Sequence, residues 1–255
     1  MHKNGLELKN LTKKMRSDST VVMAAIQQNP LALEFASNKL KKNRAIVMRA
    51  VSHNGLSLEF ASDKLQKDRA IVMRAVTHDG LALEFVSTKL QGDFEVVFAA
   101  VSQNGNALRR VSTCLTNDWT IVLAAVTSKG TALQYASEEM QKDMDIVVAA
   151  VTSMGCALQY ASEELKDNCD VVLAAVTNDG RSLNYASERM QKYISVIASQ
   201  QKNLTANDAM HASPENELPM DDKKENVPYW LAGMCACMET YARNNISSCQ
   251  KYNLH

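Results

Sequence analysis

Arginine and histidine recur at a fixed interval in the first third of the chain. Arg49 and Arg74 stand 25 residues apart, each followed four residues on by a histidine, His53 and His78. Arg44 and Arg69 precede them, again at that spacing. Positions four apart share a helix face, so each arginine and its histidine point the same way. Guanidinium groups bind carboxylates and phosphates through paired hydrogen bonds. Arg44, Arg49, His53, Arg69, Arg74 and His78 are therefore a candidate partner-binding site in two rows, roughly 10 Å apart if the segments stack as helices. The plainer alternative is an arginine rank paired with Glu59 and Glu84 that serves only solubility.

Other chemistry is sparse. There is no Gly-rich phosphate loop, no nucleophile elbow and no H-E-x-x-H motif, so no catalytic residues and no cofactor are expected. His2, His211 and His255 fall in the end segments, and the 25-residue offset of His53 and His78 marks repetition rather than a metal pair. The thiols of Cys235 and Cys237 lack nearby His or Cys at zinc spacing, so no metal site is expected either. Phe35, Phe60, Phe85, Tyr135, Tyr160 and Tyr185 form a periodic aromatic ladder. It reads as a seal between repeats before it reads as a platform for stacked bases. Arg109 and Arg110 interrupt two columns at once, which reads either as a contact point for a partner or as drift compensated by local salt bridges such as Arg109 with Glu84.

The elements that must carry these residues follow from the repeat. Glycines fall at 55, 80, 105, 130, 155 and 180, leucines at 33, 58, 83, 108, 133, 158 and 183, and serines at 37, 62, 87, 112, 137, 162 and 187, with no insertion. Such a period is the signature of a solenoid. Each unit reads as two short helices. The first opens on Asp18, Asn43, Asp68, Asp93, Asp118, Asp143 or Asn168, side chains that accept bonds from the free amides of a first turn. A run such as IVLAAV (121–126) follows, apolar around most of its circumference and so expected to be buried. The glycine is expected to close this helix through a positive φ. The second helix is predicted from Leu33, Ala36, Ser37 and Leu40, which fall on one stripe at a 3.6-residue period. Its serine hydroxyl is expected to bond back to the carbonyl four residues earlier.

This predicts an all-α chain: a right-handed-type α-solenoid of seven 25-residue helix pairs over residues 18–192. Residues 1–17 and 193–202 are read as capping half-units, 203–228 as a flexible linker and 229–255 as a short helical or disordered segment. Neither helix of a pair is long enough to be stable alone, so stability must come from stacking.

Formal net charge is zero, but it is unevenly spread. Residues 1–92 carry 15 Lys/Arg against 8 Asp/Glu, and residues 93–192 carry 8 against 13. The acidic half argues against nucleic acid as the partner. Six cysteines without a paired framework read as buried free thiols of a reducing, cytoplasmic setting. No signal-peptide core and no run of 18 apolar residues is present, so neither secretion by that route nor a membrane span is expected.

The segments IVLAAVTSKGTALQYASEEM (121–140) and VVLAAVTNDGRSLNYASERM (171–190) resemble the repeats of the family called domain of unknown function four-one-one-six. That family is common in intracellular bacteria of the Legionella type and in some protists. The resemblance covers roughly residues 5–200. It implies helical repeats without assigned chemistry and, in the bacterial members, effectors delivered into a host cell, whose cytosol would then be the site of action. No functional residue is carried over. The expected function is a non-catalytic protein–protein interaction scaffold, a monomer that binds an acidic protein surface. The alternatives are a nucleic-acid-binding solenoid using the basic units, and an adaptor whose segment 229–255 engages a partner.

Overall fold

The structure, a computed structural model, describes residues 5–198, and the linker and terminal segment expected at 203–228 and 229–255 lie outside the described residues. Among the described residues there is no strand. Ten-residue α-helices recur every 25 residues: α1 (Ser19–Gln28), α2 (Arg44–His53), α3 (Arg69–His78), α4 (Phe94–Gln103), α5 (Trp119–Ser128), α6 (Met144–Ser153) and α7 (Cys169–Asn178). Each starts where its capping side chain accepts a backbone N–H. Asp68 takes those of Ala70 and Ile71 at 3.0 and 3.2 Å, and Asp118 takes that of Ile121 at 3.0 Å.

The second element of each unit differs from the expected α-helix. It is a six-residue 3₁₀-helix, as in Gly55–Phe60 or Gly130–Tyr135, followed by a break. At the break the chain is extended: Ala36 and Ser37 have φ/ψ of −66°/154° and −64°/154°. Leu33 and Leu40 are both buried, as the periodicity implies, but they belong to different elements. The cause is a competing hydrogen bond between units. The backbone N–H of Ser37 donates to the carbonyl of Arg16 at 2.9 Å, and Ser62 to Lys41 and Ser137 to Thr116 at 3.0 Å do the same. A continuous α-helix would consume that N–H internally. The serine hydroxyls likewise do not bond back four residues. Those of Ser137, Ser162 and Ser187 accept the N–H of Met140, Leu165 and Met190, capping the turn that follows.

The glycine column is also corrected. The α-helix ends at the residue before it, extended at φ −152°, ψ 110° for Asn54, and no glycine from Gly5 to Gly155 has φ in the left-handed region. The requirement is space. A Cβ on Gly105 would lie 2.2 Å from the carbonyl oxygen of Ala125, on the helix of the next unit. Backbone of one unit therefore packs directly on backbone of the next.

Ile or Val at the third position, Val at the fourth, Ala at the seventh and Val at the eighth of α2 to α7 are buried between neighbours, together with the leucine of each 3₁₀-helix. Packing runs chiefly between consecutive units, α-helix on α-helix and 3₁₀-helix on 3₁₀-helix. The two kinds of helix thus form two layers of a helical solenoid over a continuous core. At the N-terminal end Gly5–Asn10 forms a 3₁₀-helix against α1, with Leu8 buried. At the other end residues 188–198 are helical, with Met190 and Ile194 buried.

Candidate functional site on the outer face of the α-helices

From α2 to α7 the third, fourth, seventh and eighth positions are buried, so the first, second, fifth, sixth, ninth and tenth turn outward. All six residues of the candidate site lie on this outer side of α2 and α3, and all six are exposed. The structure brings them onto one face but gives them different roles.

Arg44 and Arg69 are first residues of their helices, and each reaches the capping carboxylate of the next unit. Arg44 Nε lies 3.1 Å from Asp68, and Arg69 Nε lies 3.3 Å from Asp93 while Arg69 Nη2 donates to Glu95. The chemistry is reciprocal. For Asp93 the backbone N–H of Val96, then the Arg69 guanidinium, hold the carboxyl below its usual range against the opposing effect of burial. At Asp68 burial pushes upward, but the N–H of Ile71 and the Arg44 guanidinium outweigh it and the net shift is down. The hydrogen bonds that Arg69 donates to Asp93 and Glu95 raise its pKa in turn. These two arginines are ties between units.

The pairing with Glu59 and Glu84 expected under the plainer alternative does not form. Glu84 is taken by Arg109 at 2.5 Å, the pair expected from the sequence, and also by Arg110. Those two guanidiniums, Arg110 first, draw the Glu84 carboxyl below its ordinary value despite partial burial.

His78 has a local task. Its Nδ1 accepts the backbone N–H of Gly55 at 3.3 Å, the amide that opens the preceding unit's 3₁₀-helix. Gln103 accepts from Gly80 at 2.6 Å, Ser128 from Gly105 at 3.2 Å and Asn178 from Gly155 at 2.8 Å. This column supplies an acceptor for a glycine amide, and His is one of several residues able to serve. His53 would face Pro30, which has no N–H to give.

Arg49 and Arg74 remain. Arg74 Nε bonds only the Ser52 hydroxyl, at 3.1 Å, and Arg49 has no hydrogen bond or ion pair among the described residues. Their column holds alanine in every other α-helix, at Ala24, Ala99, Ala124, Ala149 and Ala174. The arrangement can hold carboxylates. Among the described residues no three His, Cys, Asp or Glu side chains gather as metal ligands. The described thiols are not buried as expected: Cys169 opens α7 on its outward side and is exposed, Cys114 is exposed too, and Cys156 is half-buried.

The aromatic ladder packs against the core. Phe35, Phe60, Phe85, Tyr135 and Tyr160 are all half-buried on it, and Tyr185 is more exposed. A second set of large side chains on the outer face escaped the reading of the sequence. Phe94, Trp119 and Met144 occupy the same helix position as Arg44 and Arg69 and are exposed. Comparing the residue after each cap, every 25 positions, would have found them.

No helix among the described residues is long and apolar enough to cross a membrane. No curated protein and no solved structure matches the chain. The family model described as a domain of unknown function, DUF4116, matches four times in tandem, over residues 1–41, 43–91, 93–141 and 143–191, each full match spanning two of the 25-residue units. The uninterrupted repeat, its helical units and these matches over most of the chain agree, and the chain belongs to the DUF4116 family.

Proposed function

We propose that the protein is a non-catalytic scaffold, a right-handed solenoid of seven units, whose outer α-helical face binds protein segments carrying carboxylates. The observation that carries this reading is the state of Arg49 and Arg74. Both are exposed, neither has a carboxylate partner among the described residues, and alanine serves the fold at the same place in every other unit. Unpaired guanidiniums on a rigid face meet a carboxylate without first giving up an internal ion pair. The free thiols Cys114, Cys156 and Cys169 suit a cytosolic setting, that of a host if the chain is delivered as the bacterial family members are expected to be.

The test is binding of a fluorescent polyglutamate peptide to the full chain and to Arg49→Ala with Arg74→Ala. Melting temperature should stay within about 2 °C of the parent, because alanine is the repeat's own residue there. Peptide affinity should fall by roughly fivefold or more, with weaker dependence on salt. Equal affinity would place the binding face elsewhere.

A further inference from the structure

The first position of the α-helices changes character along the solenoid. It is Arg44 and Arg69 in α2 and α3, then Phe94, Trp119 and Met144 in α4, α5 and α6. Phe94 and Trp119 are each 45% exposed and Met144 37%, and Phe98, four residues after Phe94, is 40% exposed. The Phe94 and Phe98 rings stack on each other, centroids 6.1 Å apart and 9° from parallel. One wet aromatic side chain is ordinary. Four large apolar side chains on consecutive helices of one face form a strip that calls for cover.

The strip is bounded by charge of opposite sign at its two ends. Toward the N-terminus stand the unpaired Arg49 and Arg74. Toward the C-terminus the second position of the helices is Asp145 in α6 and Asp170 in α7, both exposed. Neither aspartate has an ion pair among the described residues. The face therefore reads positive on α2 and α3, aromatic on α4 and α5, and negative on α6 and α7.

That order is complementary to itself when reversed. We infer that the occupant of this face is a second copy of the chain, docked antiparallel. The inference rests on the scaffold reading above and names the carboxylates that Arg49 and Arg74 meet. A two-fold axis between α4 and α5, parallel to the helices, sets Phe94 and Phe98 against Trp119 of the second copy. The same axis sets Arg74 against Asp145 and Arg49 against Asp170, and symmetry makes each contact twice. Helices facing across such an axis run in the same direction. The sixth position of one then lies about 6 Å along the axis from the second position of the other, within reach of an arginine side chain. The area is adequate as well. Six helices, each about 15 Å long and spaced at about 8–10 Å, offer roughly 750 Å² per copy, close to the ~800 Å² per partner of stable interfaces.

Sedimentation analysis of the full chain tests this with two charge-reversed proteins, Arg49→Glu with Arg74→Glu, and Asp145→Lys with Asp170→Lys. The parent is expected to be a dimer at about 100 μM, and each reversed protein should associate at least tenfold more weakly. An equimolar mixture of the two should recover the dimer, since every contact between them is again of opposite sign. That recovery also shows that both variants are folded. A monomeric parent, a reversed variant that dimerises like the parent, or a mixture that stays monomeric would each overturn the inference. If the parent is monomeric but polyglutamate binding still depends on Arg49 and Arg74, the scaffold reading stands and the occupant is another acidic segment. If the mixture recovers the dimer but polyglutamate does not bind, the second copy stands and the broader acidic-ligand reading falls.

Discussion

Gly105 and Gly92 lie 13 residues apart and show how differently one residue type is used. At Gly105 the neighbouring unit's backbone leaves no room: the nearest atom to a Cβ is a carbonyl oxygen at 2.2 Å. A backbone atom inside a packed helix cannot swing aside as a side chain does. Gly105→Ala should therefore destabilise by about 1–3 kcal/mol, the usual cost of forcing a methyl group into a filled core. Gly92 has nothing closer than the Ser112 Cβ at 3.7 Å, so Gly92→Ala should be neutral or slightly stabilising. Denaturant unfolding of the two variants side by side checks both. Equal effects would mean that the glycine column serves turn flexibility rather than close approach.

Each α-helix is held at its start by a capping side chain and, at α3 and α4, by an arginine from the preceding unit. Asp93 is both the cap of α4 and the partner of Arg69, and its carboxyl sits below the ordinary range. A folded-state value below the unfolded one gives stability that is present above the unfolded pKa and lost as pH falls through the folded one. The parent should therefore lose stability as pH drops below about 4, where carboxylates of this kind protonate. Asp93→Asn keeps an acceptor for the Val96 N–H but removes the charge. Its loss of melting temperature between about pH 6 and pH 3 should be smaller than the parent's, since one coupled carboxylate no longer titrates. Identical pH profiles would show that the Arg69 tie contributes nothing in solution, as many exposed ion pairs do.

At the scale of the molecule, the principal contacts among the described residues join neighbouring units, including the serine N–H bond to the unit before and the glycine contact with the unit after. Removal of one complete period, residues 118–142, should leave the remaining units in register, because Asp143 then caps α6 directly after Asn117. That shortened chain is expected to fold cooperatively with undiminished helical circular dichroism per residue. A deletion of residues 118–129 alone should not. It removes an α-helix while keeping its 3₁₀-helix, so two 3₁₀ elements would compete for one place. If both deletions fold equally well, the 25-residue period is not the structural unit.

The period, the capping residues, the buried run of each α-helix and the Glu84–Arg109 pair were legible in the sequence, because each depends on residues close in the chain or repeated in step with it. Stacking as the source of stability followed too, since helices this short do not stand alone. What only the tertiary structure decided lies where one unit touches the next. The leucine–alanine–serine stripe fits a 3.6-residue period, yet the N–H of Ser37 bonds to Arg16, and that contact across units breaks the second helix into a 3₁₀ turn and an extended step. The glycine looked like a helix terminator and is instead a site of backbone contact. Six basic residues at matching positions looked equivalent, but Arg44 and Arg69 meet carboxylates 24 residues ahead, His78 accepts an amide 23 residues behind, and Arg49 and Arg74 are left for solvent or a partner. Periodicity dictates which residues share a face. Which of them are already engaged depends on contacts a full turn of the solenoid away, and those exist only once the units have stacked.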